Sequence, residues 1–162
     1  MLTGLRSYPV QHAHLDEIDG NIWTITGEKM NGRKCKTSDF RVPLTPEALH
    51  VTKLASQDQR DGHIFPGVKS GVISDASTAR LMERRGLEAR PHGFRSTLRV
   101  CLTESQQASR EVAETISAHQ TGSLTERAYN RTDFLEQRRE LMEAWEKHLK
   151  SGDQEPDHLF DR

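Results

Sequence analysis

The sequence predicts an α+β fold, mainly helical, in which a small antiparallel three-stranded sheet packs against a helical bundle. Two patterns lead to that class. β-prone runs bounded by turn residues fall at 21–26, 40–44 and 63–66. Amphipathic stretches with capping signals fill most of the remainder. No internal repeat or low-complexity tract disturbs that order.

Residues 1–15 place Leu2, Leu5, Val10 and Ala13 at helix-compatible spacing, but Pro9 breaks the run and belongs near a helix start or kink. Asp19-Gly20 marks a turn, and Ile22, Trp23, Thr24 and Ile25 read as a strand. The polar stretch 27–39 is a loop or hairpin tip from which residues 40–44 return as the next strand. Thr45-Pro46-Glu47 opens a helix to about Ala55, with threonine as N-cap and proline at the first helical position. His63-Ile64-Phe65-Pro66, between Gly62 and Gly67, is the candidate third strand. Helices are expected at 74–85, stopped by Gly86, then at 93–103, 109–118 and 134–149. The last carries Phe134, Leu135, Leu141, Met142, Trp145 and Leu149 on one stripe.

Composition bounds the function. A chain of 162 residues suits one domain, placed at 1–150, followed by a disordered tail at 151–162 that opens Ser-Gly-Asp-Gln-Glu-Pro. With 33% hydrophobic and 29% charged residues the core is lean, which points to partial disorder or to a covering partner or segment. The net charge of −1 argues mildly against a free-standing nucleic-acid binder. The basic residues nevertheless cluster, first at Lys29, Arg33, Lys34, Lys36 and Arg41, then at Arg80, Arg84, Arg85, Arg90, Arg95 and Arg99. Two cysteines without paired spacing suggest neither zinc nor a redox motif, and His12-Ala13-His14 lacks a third well-spaced ligand. No signal-peptide pattern and no apolar run near 18 residues is present, so the expected compartment is cytoplasmic, with no membrane role.

Three segments carry chemistry. In Arg90-Pro91-His92-Gly93-Phe94-Arg95, proline marks a helix entry, and His92 and Arg95 share one face of its first turn. A guanidinium and an imidazole at a helix start suit a phosphate, although H-x-x-R alone equally describes two surface residues. Ile116-Ser117-Ala118-His119 is followed ten residues on by Ala128-Tyr129-Asn130-Arg131. Leu2-Thr3-Gly4-Leu5-Arg6 closes an apolar stretch with an arginine. Taken singly, that tyrosine reads as a packing residue and that arginine as a helix end.

In this order the three segments resemble the signature of the tyrosine recombinases, the phage integrase family: an arginine, H-x-x-R, a histidine or tryptophan, then a nucleophilic tyrosine. The likeness extends to Trp23-Thr24-Ile25, Phe40-Arg41-Val42-Pro43-Leu44, Ile64-Phe65-Pro66-Gly67 and the run from Glu136 to Trp145, covering roughly residues 1–150. It implies that Arg6, Arg95 and His119 hold the non-bridging oxygens of a scissile phosphate. Tyr129 would then attack phosphorus to give a 3′-phosphotyrosyl link and a 5′-hydroxyl, with His92 assisting proton transfer. The implied partners are double-stranded DNA at attachment sites and other integrase subunits, a tetramer on DNA. No cofactor is implied, neither ATP nor a metal, because the link conserves bond energy.

The chemistry explains the residue types. A phenol has pKa near 10, so forming phenolate at neutral pH costs about 4 kcal/mol. One preorganised donor aimed at developing charge contributes roughly 3–4 kcal/mol. Two arginines and a histidine around one phosphate therefore outweigh that cost, and arginine adds a fork that matches two oxygens and never deprotonates.

The sequence also departs from the family pattern. A lysine general acid is expected in the hairpin after the first strand, and its place falls on Asn31. An amide cannot donate that proton, a contribution of roughly 10²- to 10⁴-fold. Lys34, Lys36 and Lys29 are the candidate substitutes. The acidic residue expected three positions after the first arginine is Pro9. Family members carry more of the catalytic domain and a DNA-clamping helical domain upstream of the first arginine, so the resemblance implies an N-terminally truncated catalytic domain, in which Leu2, Leu5 and Val10 should border open apolar surface. The alternative to an active recombinase is an inactive remnant that binds DNA, or docks on full-length integrase through the helix at 134–149.

Overall fold

Two hydrophobic clusters organise the described residues, and the long C-terminal helix that belongs to the second also packs on the sheet. The computed structural model describes residues 1–30, 38–69, 71–88, 93–105, 108–118 and 132–151. The described part is an α+β fold, mainly helical, with one three-stranded antiparallel sheet.

The sheet runs β1 (Ile18–Asp19), β2 (Ile22–Ile25) and β3 (Phe40–Pro43) in that spatial order. Asp19 faces Ile22, which leaves Gly20-Asn21 as a two-residue turn, and Gly20 takes the positive φ of 56° that such a tight hairpin requires. Trp23 pairs with Ile18 on one side and Val42 on the other, while Ile25 faces Phe40. Trp23 and Ile25 are both buried, as period-two alternation demands.

The third strand is not the one expected. Residues 63–66 stay out of the sheet, and Ile18–Asp19 takes that place. His63 forms isolated bridges to His14 and Arg60, the first flanked by Ile64 N–H to the Ala13 carbonyl at 3.0 Å and Leu15 N–H to the Gly62 carbonyl at 2.9 Å. Gly62 at φ 77° lies on one side and Pro66, which has no N–H, on the other, so this ladder cannot lengthen. A side chain at Gly62 would meet the His14 ring at 1.9 Å.

Helix α1 (Ser7–Gln11) is short, with Pro9 inside its first turn where the missing N–H does no harm. Helix α2 (Pro46–Ala55) starts as expected, Thr45 Oγ1 accepting from Ala48 N–H at 3.4 Å. A second cap arrives from far along the chain, since Glu146 Oε2 accepts from Glu47 N–H at 3.0 Å. Helix α3 (Asp75–Arg84) ends before Gly86, whose φ of 68° terminates it. Helix α4 (Gly93–Val100) continues into a π-helical turn at Cys101–Ser105. Helix α5 (Arg110–Ile116) is capped by Ser109 Oγ accepting from Val112 N–H at 3.3 Å. Helix α6 (Leu135–Ser151) is the longest described element.

The first cluster gathers Trp23, Ile25, Val42, Leu44, Ala48 and Ile64 from the sheet, α2 and the bridge segment. The second gathers Leu98, Leu102, Val112, Ile116, Met142 and Trp145 from α4, α5 and α6. Each thus contains one tryptophan. Helix α6 packs on β3 as well as α5, and Trp145 Nε1 donates to the Met1 carbonyl at 3.3 Å, tying the chain start to this helix. A half-open apolar cavity of about 510 Å³ remains beside the first cluster. Leu2, Leu5 and Val10 line it together with Val51, Phe65 and Leu149. No helix among the described residues is long and apolar enough to cross a membrane.

Candidate active site

Gly4 brings the first arginine to the second. It adopts φ 65°, and a Cβ there would stand 2.7 Å from the Leu98 side chain and 3.3 Å from that of Ile116. Only glycine lets the backbone lie this close to α4 and α5. Two residues later Arg6 occupies the N-cap of α1, while Arg95 sits on α4 one turn before Leu98. Burial holds the Arg95 guanidinium below its ordinary pKa, and the positive charge of Arg6 lowers it further. Two cations near enough to disfavour one another would each be eased by a neighbouring anion.

Arg95 also reaches the chain beyond α5. Its Nη2 donates to the Ser117 carbonyl at 2.6 Å. Ser117 is buried, and Ala118 follows at φ 50°, a left-handed conformation unusual for alanine that turns the backbone sharply just before His119. The second predicted arginine therefore grips the strand of backbone leading to the predicted histidine.

Among the predicted residues, Arg6 and Arg95 are brought together. His92, His119 and Tyr129 lie outside the described residues, as do Asn31, Lys34 and Lys36. Lys29 is described and engaged elsewhere: its Nζ is 2.7 Å from Glu17 Oε1 and 2.7 Å from the His12 carbonyl. Glu17 is a hub of local structure, since Oε2 accepts also from Trp23 Nε1 at 3.2 Å and His14 N–H at 3.1 Å. That role locks Lys29 to the β1–β2 hairpin.

A second charged group, not anticipated from sequence, sits at the entry to α6. Arg41 Nε on β3 is 2.8 Å from Asp133 Oδ2, and Arg138 Nη2 on α6 is 3.6 Å from the same oxygen. The Arg138 guanidinium carbon lies 4.8 Å from the centre of the Phe40 ring. Arg138 is only 1% exposed, and among the described residues its Nε and Nη2 have no hydrogen-bond acceptor. Burial pulls its pKa down to about 10, Asp133 acting to raise it and Arg41 to lower it further. Burial alone would raise the Asp133 carboxyl, but the Arg41 hydrogen bond, the two cations and the Leu135 N–H hold it below the usual carboxylate range. The sequence does carry a signal for this group. Arg138 stands on the apolar stripe of α6, one turn before Met142 and two before Trp145, where a cation needs a partner.

No protein-family model and no solved structure matches the chain. Among curated proteins of Escherichia coli (strain K12), prophage integrase IntA is 32% identical over 160 residues, 94% of this chain and 38% of IntA. Prophage integrase IntZ is 29% identical over 153 residues, 90% of this chain and 36% of IntZ. The chain therefore spans less than two-fifths of the length of these relatives. Over most of its length the chain is therefore similar to part of two prophage integrases.

Proposed function

We propose that this chain carries the catalytic machinery of a tyrosine-type DNA recombinase, acting at site-specific attachment sequences in double-stranded DNA. The observation that supports it best is that Arg6 and Arg95, distant in sequence, lie near enough for the charge of Arg6 to lower the Arg95 pKa, with Gly4 packed against Leu98 one turn beyond Arg95. In this reading they bind the non-bridging oxygens of the scissile phosphate, joined by His119. Tyr129 Oη forms a bond to phosphorus and gives up its proton, with His92 assisting. The bond from phosphorus to the 5′-oxygen breaks, and that oxygen leaves as a hydroxyl after taking a proton. The tetrameric synapse of DNA-bound subunits belongs to the same proposal.

A second reading rests on Asn31 and the engagement of Lys29, which leave Lys34 and Lys36 as the remaining candidates for the proton donor. Without such a donor the chain is an inactive remnant that binds DNA or a full-length integrase.

A nicked attachment-site duplex that loses its short product strand separates the two. Under the first reading the purified chain forms a denaturation-resistant protein–DNA adduct, absent in Tyr129→Phe and weakened at least a hundredfold in Arg95→Ala, on the scale of losing a preorganised donor. Salt-sensitive DNA binding with no adduct establishes the second reading instead.

A further inference from the structure

Helices α4 and α5 are joined by two polar rungs. Arg95 Nη2 donates to the Ser117 carbonyl at 2.6 Å. Arg99, one turn further along α4, pairs with Glu114, one turn back along α5. Glu114 is buried, whereas the Arg99 side chain is 49% exposed. Positions three or four apart on a helix are about 5–6 Å apart at Cβ, so Glu114 stands one rung from Arg95 as well. We propose that Arg99 acts as a guard: by engaging Glu114 it keeps that carboxylate from competing with a phosphate for Arg95. Arg99 is a positioning residue that acts through Glu114, and the proposal rests on the recombinase reading for the identity of the anion.

The physical case begins with the carboxylate. At 6% exposure Glu114 has little water to turn to, and an interior charge without a partner is costly, so it is drawn to a cation within reach. The two arginines of α4 differ in what such a partner would mean. Arg99 meets solvent and no cation is placed beside it by the same fold that places Arg6 beside Arg95. The Arg95 pKa is lowered by burial and then by Arg6, whereas a carboxylate paired with it would act in the opposite direction. Burial and Arg6 thus outweigh any carboxylate at Arg95, and an arriving phosphate offsets both. An internal carboxylate seated there would win over that phosphate, because it has no translational freedom to lose on pairing. Removing Arg99 leaves Glu114 to turn one rung along, onto the guanidinium that the anion needs.

The test is a double-mutant cycle of wild type, Arg99→Ala, Glu114→Gln and the two combined. Each chain, carrying isotope-labelled arginine, is titrated with inorganic phosphate, and the Arg95 Nε–H resonance, assigned through Arg95→Lys, reports binding. Arg99→Ala weakens phosphate binding roughly tenfold, within the range of coupling inside one salt-bridge network. Glu114→Gln changes it by less than about twofold in the wild-type background, yet restores most of the loss in the Arg99→Ala background. Arg99→Lys, which keeps a cation on Glu114, stays within about twofold of wild type. If Arg99→Ala does not fold, Arg99→Gln enters the cycle in its place with the same expectation. A simple loss of positive charge gives a different pattern: Glu114→Gln then tightens binding equally in both backgrounds, and that additivity overturns the guard. So does an Arg95 resonance indifferent to phosphate in all four proteins. The nicked duplex decides the recombinase reading separately. An adduct in wild type with an additive cycle sinks the guard alone, whereas a cooperative cycle without an adduct sinks the recombinase reading and keeps the guard as a property of the anion site.

Discussion

At the scale of single residues, Asp133 and Arg138 differ in what their loss would do. Asp133→Ala leaves a buried guanidinium uncompensated, which costs about 3–5 kcal/mol. Arg138→Met removes the buried charge while Asp133 keeps Arg41, so stability is unchanged or rises by up to about 3 kcal/mol. Urea denaturation of the two variants should move the midpoint in opposite directions, or leave Arg138→Met in place. Equal losses in both would show that Arg138 contributes more by packing on Phe40 than it costs by burial. The residues of this charged group were only half legible in the sequence. Arg41 stands out as a member of a basic cluster, but Asp133 looks like any acid near a helix start, and nothing local links positions 92 residues apart. The Arg6–Arg95 pairing was legible because its residues fall into an ordered signature. The engagement of Lys29 was not legible, since Glu17, its partner, reads as one of many surface acids.

Among elements, α2 and the segment before α1 depend on single side chains or their absence. The Glu146 carboxylate caps α2 from α6 and also bonds Lys150. Burial raises its pKa, but hydrogen bonds from Thr45, Lys150 and the Glu47 N–H outweigh that and leave it lowered. A lowered folded pKa means stability that is present above the ordinary carboxylate value of about 4.3 and is lost as pH falls through the folded value. Glu146→Gln should therefore cost roughly 1 kcal/mol at pH 7, and the gap from wild type should close between about pH 5 and 3. A gap that persists at low pH would mean that the carboxylate charge is not the cap. Gly4→Ala should cost roughly 2–4 kcal/mol, because it combines a left-handed backbone with a methyl driven into Leu98. On the recombinase reading it should also abolish adduct formation by parting Arg6 from Arg95, whereas a Leu98→Ala background relieves the clash and recovers part of both. The helices and the first two predicted strands were legible because caps, breakers and periodicity are local. The third strand was not, because His63–Pro66 and Ile18–Asp19 are comparable in β-propensity and differ in what flanks them: Gly62 and Pro66 isolate one, while the Gly20-Asn21 turn delivers the other to β2.

For the molecule as a whole, the fold class was legible and its division into two clusters was not. Composition reports only that the apolar share is small, and it does not say that α6 would be spent on both sides at once. The placement of Trp23 in one cluster and Trp145 in the other now provides an optical handle on that division. Each indole has its own neighbour, Glu17 for Trp23 and the Met1 carbonyl for Trp145. Trp23→Phe and Trp145→Phe proteins therefore each emit from one half of the interior. A helix common to both halves makes melting concerted, so the two emission curves should share one midpoint once each is corrected for its own substitution. Separate midpoints would reveal two independently cooperative halves joined by α6 as a strut, with the arginine-rich turn free to come apart while the sheet still glows.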